Sequence, residues 1–584
     1  MKAISKIAAC FSLAVTIPAT MPAQTQMAAT PPPSTAGVFP VSAIHRGMHG
    51  VAYTVFEGTQ PEPMDVEILG LLHNALGPGQ DMILARLHGA KPEYTGVVAG
   101  MSGSPVYIDG KLAGALAYRI GEFSKEPIAG ITPIEQMLQV RDMQKTVPME
   151  MAATSTGAET GPIRPIETPL VFDGFSAAAV ELWNKHTPGL GLTAVAGLGG
   201  GGGSQHQPEP IIPGSAVSAL LVRGDLEISA TCTATYVDAK KLLACGHPIT
   251  QFGPVSLPMT KAEVLATLPS PYNAFKIVNT TDTVGSFTED RQTAIAGRFG
   301  VAARMIPVTL HITGAGTPRE LHLEVVDQPQ ITPSAVMVSV FQGLMESNNY
   351  TAETSYRVRS TISMEGYQPV ALDEMVAPTE LGPANMIAAL MVGSDFSRLY
   401  DNAARRTPIR SVDVTIEAVP KRLTAELESA VSTTTTMHAG DTVTIEATLR
   451  PYHGEVRNVR IPVKLPATLP DGPVRLLISN GAALDRLLQP PQAGGQQLDV
   501  SQTIAQLNSQ HPNDRLYVTL LAPSAQATVE GRTLPTLPIS MANALEPLKQ
   551  NHKLTLSGES AVPLASVGVD AMLSGEQVLN LMVE

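Results

Sequence analysis

The chain is 584 residues long, 44% hydrophobic and 16% charged, with a formal net charge of -13. One hydrophobic core does not serve such a length, so about three or four domains are expected. The acidic balance argues against nucleic acid as a partner, because phosphate binding needs a basic face.

At the N-terminus Lys2 and Lys6 precede an apolar run from Ile7 to about Ala19, and small residues follow. That order of charge, apolar core and small residues is the pattern of a secretory signal. Residues 1–23 are therefore expected to be a leader cut near Ala23, and the mature protein to be exported, periplasmic or secreted. No other apolar run approaches the roughly 20 residues that span a bilayer, so the mature chain is expected to have no transmembrane segment. Cys10 leaves with the leader. Cys232 and Cys245 remain, a pair that an oxidising compartment would join.

Residues 41–139 read as a β half-barrel. "VAYTVFEG", "MDVEILGLL" and "DMILARL" are strand-like, and "VYIDGKLAGALAY" is a hairpin turning at Asp109-Gly110. A short helix, "TPIEQMLQV", follows. Residues 140–210 are rich in Pro, Thr and Gly and read as a linker with one helix, "FSAAAVELWNKH". The linker ends in the run Gly199 to Gly203, which lacks the Lys-Ser/Thr of a phosphate-binding loop. Residues 211–330 resume the β pattern as a second half-barrel, with "EISATCTATYVD" and "KKLLACGHPI". A mixed α/β region over 331–410 and an Ig-like β-sandwich over 411–545 are expected next, from helical periodicity and then strand-and-turn spacing. Further strands close the chain over 546–584. The fold class is mainly β.

The chemistry concentrates in two short motifs. In "GMSGSP", Gly100 and Gly103 flank Ser102 with residues that accept unusual φ and permit close approach. A serine hydroxyl becomes a nucleophile only beside a base, and needs N–H donors aimed at the developing oxyanion. The N–H groups of Gly100 and Ser102 are placed to be those donors. In "TATYVDAKKLLACGHPI" a strand, a turn and a strand lead to His247, with Cys245 two residues before it. His45 and His49 have no partner ligands clustered nearby, so no metal is expected, and the chemistry needs no cofactor.

These blocks resemble chymotrypsin-like proteases, and more closely the SpoIVB family of stage IV sporulation serine peptidases. The likeness covers "DMILARL…TGVVAGMSGSP", "GKLAGALAY", "TYVD…LACGHPI" and "VGSFTEDRQTAIAG", roughly Val41 to Gln139 and Ile211 to Asp327. It implies a double β-barrel, Ser102 as nucleophile, His247 as general base and a protein or peptide substrate. In that family the histidine block precedes the serine block, whereas here Ser102 comes first, so the order is permuted. Triads are defined by geometry and not by chain order. The orienting acid has two candidates, Asp81 in the Asp-apolar-strand segment "QDMILARL" and Asp290 in "TEDRQ". Ser102 Oγ is expected within about 4 Å of a His247 ring nitrogen, with a carboxylate on the other nitrogen. The rival expectation is a non-catalytic envelope scaffold that binds proteins.

Overall fold

Six strands form the N-terminal barrel: β1 (His49–Thr54), β2 (Glu62–Leu72), β3 (Met82–His88), β4 (Pro105–Ile108), β5 (Lys111–Ile120) and β6 (Ile128–Pro133); burial alternates along β2 and β3, while β4, β5 and β6 are buried almost throughout. They pair in the order β4-β1-β2-β3-β6-β5, and β4 pairs back onto β5, so the barrel is closed. The β4–β5 connection is the expected hairpin: Asp109 and Gly110 both have positive φ, as a two-residue turn matched to strand twist requires. Helix α1 (Ala90–Thr95) follows β3, and α2 (Ile134–Asp142) follows β6. This is a computed structural model; it describes residues 30–584 except 122–123, 144–162, 189–193, 198–205, 271–273, 315–316, 346–350, 402–408, 489–498, 523, 530–531, 546, 548–553 and 558. The expected leader and the glycine run lie outside the described residues.

The stretch read as a linker supplies structure to both sides of the molecule. β7 (Ile163–Pro165) lies antiparallel on β5 and extends the first barrel's sheet. Five residues on, β8 (Leu170–Asp173) pairs with a strand of the second sheet. Helix α3 (Ala177–His186) begins where the Ser176 hydroxyl accepts the Ala179 N–H as an N-cap. A short strand, β9 (Ala194–Ala196), runs parallel to β8.

A second group comprises β10 (Ala216–Gly224), β11 (Glu227–Val237), β12 (Lys241–Ala244), β13 (Gly253–Leu268), β14 (Phe275–Arg291) and β15 (Ala294–Phe299). Their pairing runs β10-β13-β14-β15-β12-β11 and returns from β11 to β10, a second closed cycle. The sheet does not stop there. β16 (Met305–Gly314) and β17 (Arg319–Val326) continue it from β10, and β18 (Ser355–Met364), β19 (Val370–Val376) and β20 (Ile409–Val419) complete a 13-stranded sheet. β20 runs parallel to β16. Helices α4 (Thr332–Met345) and α5 (Ala384–Tyr400) share the apolar cluster of this sheet. The expected breaks at 330 and 411 therefore fall inside one continuous sheet.

A separate cluster joins the two closed cycles. Tyr53, Tyr107, Ala115, Ile134 and Met137 from the first pack with Leu243, Ala294 and Ala296 from the second. Beyond β20, a four-stranded and a five-stranded sheet share one apolar cluster that runs from Ala425 to Val583. The last strands, Ser560–Gly568 and Glu576–Val583, pair inside the five-stranded sheet. The C-terminal unit thus uses the closing strands expected to stand outside it. Among the described residues no helix is long and apolar enough to cross a membrane.

Candidate active site

Ser102 sits in the turn between α1 and β4, at the seam of the two cycles. Gly100 and Gly103 both have φ of 93°, a region that favours glycine. A Cβ on Gly103 would lie 1.9 Å from the Thr233 carbonyl oxygen, so only glycine fits. The turn is tied internally by Met101 N–H to Val98 O and Ser104 N–H to Met101 O, and to β5 by Gly103 N–H to Leu116 O at 2.7 Å. It is then clamped from the second cycle. Thr233 N–H donates to Ser102 O at 2.7 Å, the Thr233 hydroxyl to Gly100 O at 2.9 Å, and the Thr235 hydroxyl to Gly103 O at 2.7 Å. β11 alternates threonines toward this turn, which is why a strand reading "TCTATY" carries so many hydroxyls on one buried face.

Lys276, near the start of β14, completes the clamp and was not singled out from the sequence. Its side chain is buried, and Nζ donates to Gly100 O at 3.1 Å and to Thr54 Oγ1 at 2.7 Å. Its own N–H donates to Ala99 O at 3.3 Å. A trans peptide points its N–H away from its carbonyl, so engaging Ala99 O turns the Gly100 N–H the opposite way. Among the described residues the N–H groups of Gly100 and Ser102 donate no hydrogen bond. With only neutral acceptors around it, burial pushes the Lys276 amine down to about 7.

His247 sits in a turn that packs on the serine turn. Cys245 and Gly246 both have positive φ. Cys245 N–H donates to Thr233 O, and Gly246 O accepts the Thr132 hydroxyl at 2.6 Å. Cys232 and Cys245 form a disulfide with Cα atoms 5.3 Å apart, as their pairing in the sequence suggested. The same β11–β12 hairpin thus carries the clamp on Ser102 and the approach to His247.

None of the contacts of the expected triad is made among the described residues. Ser102 Oγ lies 3.4 Å from Thr168 Oγ1 and makes no hydrogen bond to His247. His247 Nδ1 meets Pro248 O at 2.7 Å, and Nε2 has no hydrogen-bond partner among the described residues. A carbonyl only accepts, so Nδ1 carries the proton and neutral Nε2 is left as a base. Burial pushes the imidazole down to about 4; the carbonyl of Pro248, and more weakly the Ile166 backbone, favour the protonated ring without reversing this.

Neither candidate acid reaches His247. Asp81 stands beside the start of β3, with its carboxylate taken by Asn74 N–H at 2.9 Å and His73 Nδ1 at 3.2 Å. The Asn74 N–H, with His73, holds that carboxyl below its ordinary range. Asp290 is buried and accepts from the N–H groups of Ile249, Thr250 and Gln251 and from the Thr250 hydroxyl. Burial raises its carboxyl while these donors pull the other way. Asp290 fixes the loop just after His247 and does not orient the ring itself. His49 faces Asp65 at 3.5 Å.

No protein-family model, curated protein or solved structure matches this chain.

Proposed function

We propose that the chain is an exported serine endopeptidase of the SpoIVB type, with a permuted chymotrypsin-like double barrel, that cleaves protein substrates through an acyl-enzyme. The observation that carries this reading is the seam. The Ser102 turn and the His247 turn share Thr233 as a neighbour, and the Gly100 and Ser102 N–H groups are unspent. Ser102 Oγ and His247 Nε2 share no hydrogen bond in this structure, so the reaction first brings them within reach; Nε2 then takes the Oγ proton as Oγ attacks the scissile carbonyl. The Gly100 and Ser102 N–H groups receive the oxyanion. Collapse expels the amine, which takes the proton back from His247, and water then hydrolyses the ester by the same route. Pro248 O fills the place of an orienting acid: it fixes the tautomer but adds no charge to stabilise the imidazolium, so turnover is expected to be slow.

Prolonged treatment of the exported chain with a fluorophosphonate is expected to label Ser102, and Ser102→Ala and His247→Ala are expected to lose the label. A label that persists in Ser102→Ala overturns the reading. So does an unlabelled Ser102 in both the native chain and the opened variant described below. The second reading, a protein-binding scaffold with retired residues, is favoured by the missing carboxylate on His247 and is what that last outcome would leave.

A further inference from the structure

Between the two sheets, one strand of chain passes directly over the site. Residues 163–165 pair antiparallel with β5, in the register Tyr118↔Pro165, Arg119↔Arg164, Ile120↔Ile163. Ile166 N–H then continues the ladder to Ala117 O at 2.7 Å. From Leu170 the chain belongs to β8 and pairs with β11. The residues between cross the seam, and they meet both reacting groups. The Ile166 backbone faces the His247 ring, and Thr168 Oγ1 is the one hydrogen-bonding partner of Ser102 Oγ among the described residues. Ile166 is fully buried within the apolar cluster of the first barrel, while Glu167 next to it is exposed.

An extended segment added to a sheet edge, with alternate side chains taken into pockets, is how a β edge binds a peptide. We infer that Ile163–Thr168 is the chain's own occupant of a peptide-binding groove, one that takes an extended peptide with an aliphatic residue at the place of Ile166 and stays closed until this segment is displaced. The inference deepens the peptidase reading and rests on it for calling such peptides substrates. A tethered segment acts at an effective concentration on the order of millimolar, so a free peptide competes poorly while the tether holds. The apparent affinity of the groove is reduced by the fraction of molecules in which it is open.

The test uses the full chain and a labelled peptide, Ile-Arg-Pro-Ile-Glu-Thr, in a Ser102→Ala background that prevents turnover. Ile166→Asp drives the buried side chain from its pocket. Arg164→Pro, whose side chain is exposed, puts a residue with no N–H against the β5 edge and spares the apolar cluster. At least one of these, folded by circular dichroism, is expected to bind the peptide about tenfold or more tightly than the parent. The same peptide with Asp in place of its second Ile is expected not to bind. In the Ser102 chain, the opening substitution is expected to speed fluorophosphonate labelling by a similar factor. Peptide affinity unchanged by both substitutions overturns the inference, as does equal binding of the Asp peptide. Tight binding to the opened chain with no labelling and no hydrolysis would instead sink the peptidase reading and leave the groove standing. Labelling equally fast in native and opened chains would sink the closure and leave the peptidase.

Discussion

His247 is a titratable ring sealed in the interior with only carbonyl oxygens to receive its proton, and that fixes how it answers to pH. In the folded protein it titrates near 4, against 6.5 when solvated. Between those values the unfolded chain binds more protons than the folded one, so stability falls as pH drops from about 6.5 to about 4 and the loss is complete below that. At about 1.4 kcal/mol per pH unit this single ring contributes a loss of about 3 kcal/mol. An NMR titration of the labelled ring is expected to show it neutral at pH 6; a midpoint near 6.5 would contradict the burial argument. Lys276 behaves in the same direction over another window. Its folded value near 7 lies below the 10.5 of a free lysine, so stability is expected to rise as pH climbs from about 7 to about 10.5. Lys276→Met should remove that rise, checked by urea midpoints across the window. On the proposed peptidase reading it should also slow turnover by on the order of tenfold with little change in KM, because Lys276 holds the Gly100 peptide and would not touch substrate. Nothing local in "AFKIVNTT" announces Lys276. Its burial comes from the register of β14 against Ala99, a contact between residues far apart in sequence. The glycines around Ser102 were legible for the opposite reason, because positive φ and close approach are local demands that only glycine meets.

Among the elements, the β11–β12 hairpin does the most to build the site. Its threonines hold the serine turn, its disulfide ties Cys232 on β11 to Cys245 beyond β12, and its far end delivers His247. Replacing both cysteines by alanine is expected to cost on the order of 3 kcal/mol, because the unfolded chain regains the freedom of the closed loop. Unfolding midpoints with and without the pair measure it, and an unchanged midpoint would mean that the native hairpin does not need the bond. Gly103→Ala should be worse for the site than for the fold. Its Cβ would press on the Thr233 carbonyl and push the turn off β11, so labelling of Ser102 is expected to vanish in a chain that still folds. Full labelling in Gly103→Ala would show that the clamp is dispensable. The hairpins and most strands could be read from alternation and turn residues. β7 could not: Ile-Arg-Pro is too short to show a period, and it lies in a stretch whose Pro, Thr and Gly content reads as linker. Its strand character is imposed by the end of β5 that runs past β4.

At the scale of the whole chain, the division into folding units follows the sheets and not the composition. β20 belongs with β16, beyond β17, two helices and a hairpin, through a parallel pairing that no local pattern specifies. The helix Val500–Asn508 crosses units in the other direction. Val500, Ile504 and Leu507 lie in the central cluster, although the strands on either side of it in sequence, Gly472–Ser479 and Arg515–Ala522, belong to the C-terminal sheets. The docking is specific as well as apolar. Asn508 accepts Ala371 N–H and donates to Pro369 O, and Asn513 accepts Met375 N–H and donates to Met375 O. Those side-chain amides mimic a neighbouring strand for β19, whose outer edge would otherwise stand unpaired. Cooperative opening should respect these contacts. In hydrogen exchange followed by mass spectrometry, amides of β20 are expected to open with those of β16 and β18, and the strand Thr424–Ser432 to open separately with the C-terminal sheets. Helix Val500–Asn508 should follow the central group. Asn508→Ala with Asn513→Ala should then speed exchange in β19 and the helix by about tenfold or more, since four exposed or part-buried hydrogen bonds are lost at roughly 0.5 kcal/mol or more each, while leaving β16 unchanged. If β20 instead exchanges in step with Thr424–Ser432, the central sheet ends at β16 and the boundary near 411 read from composition is the true one.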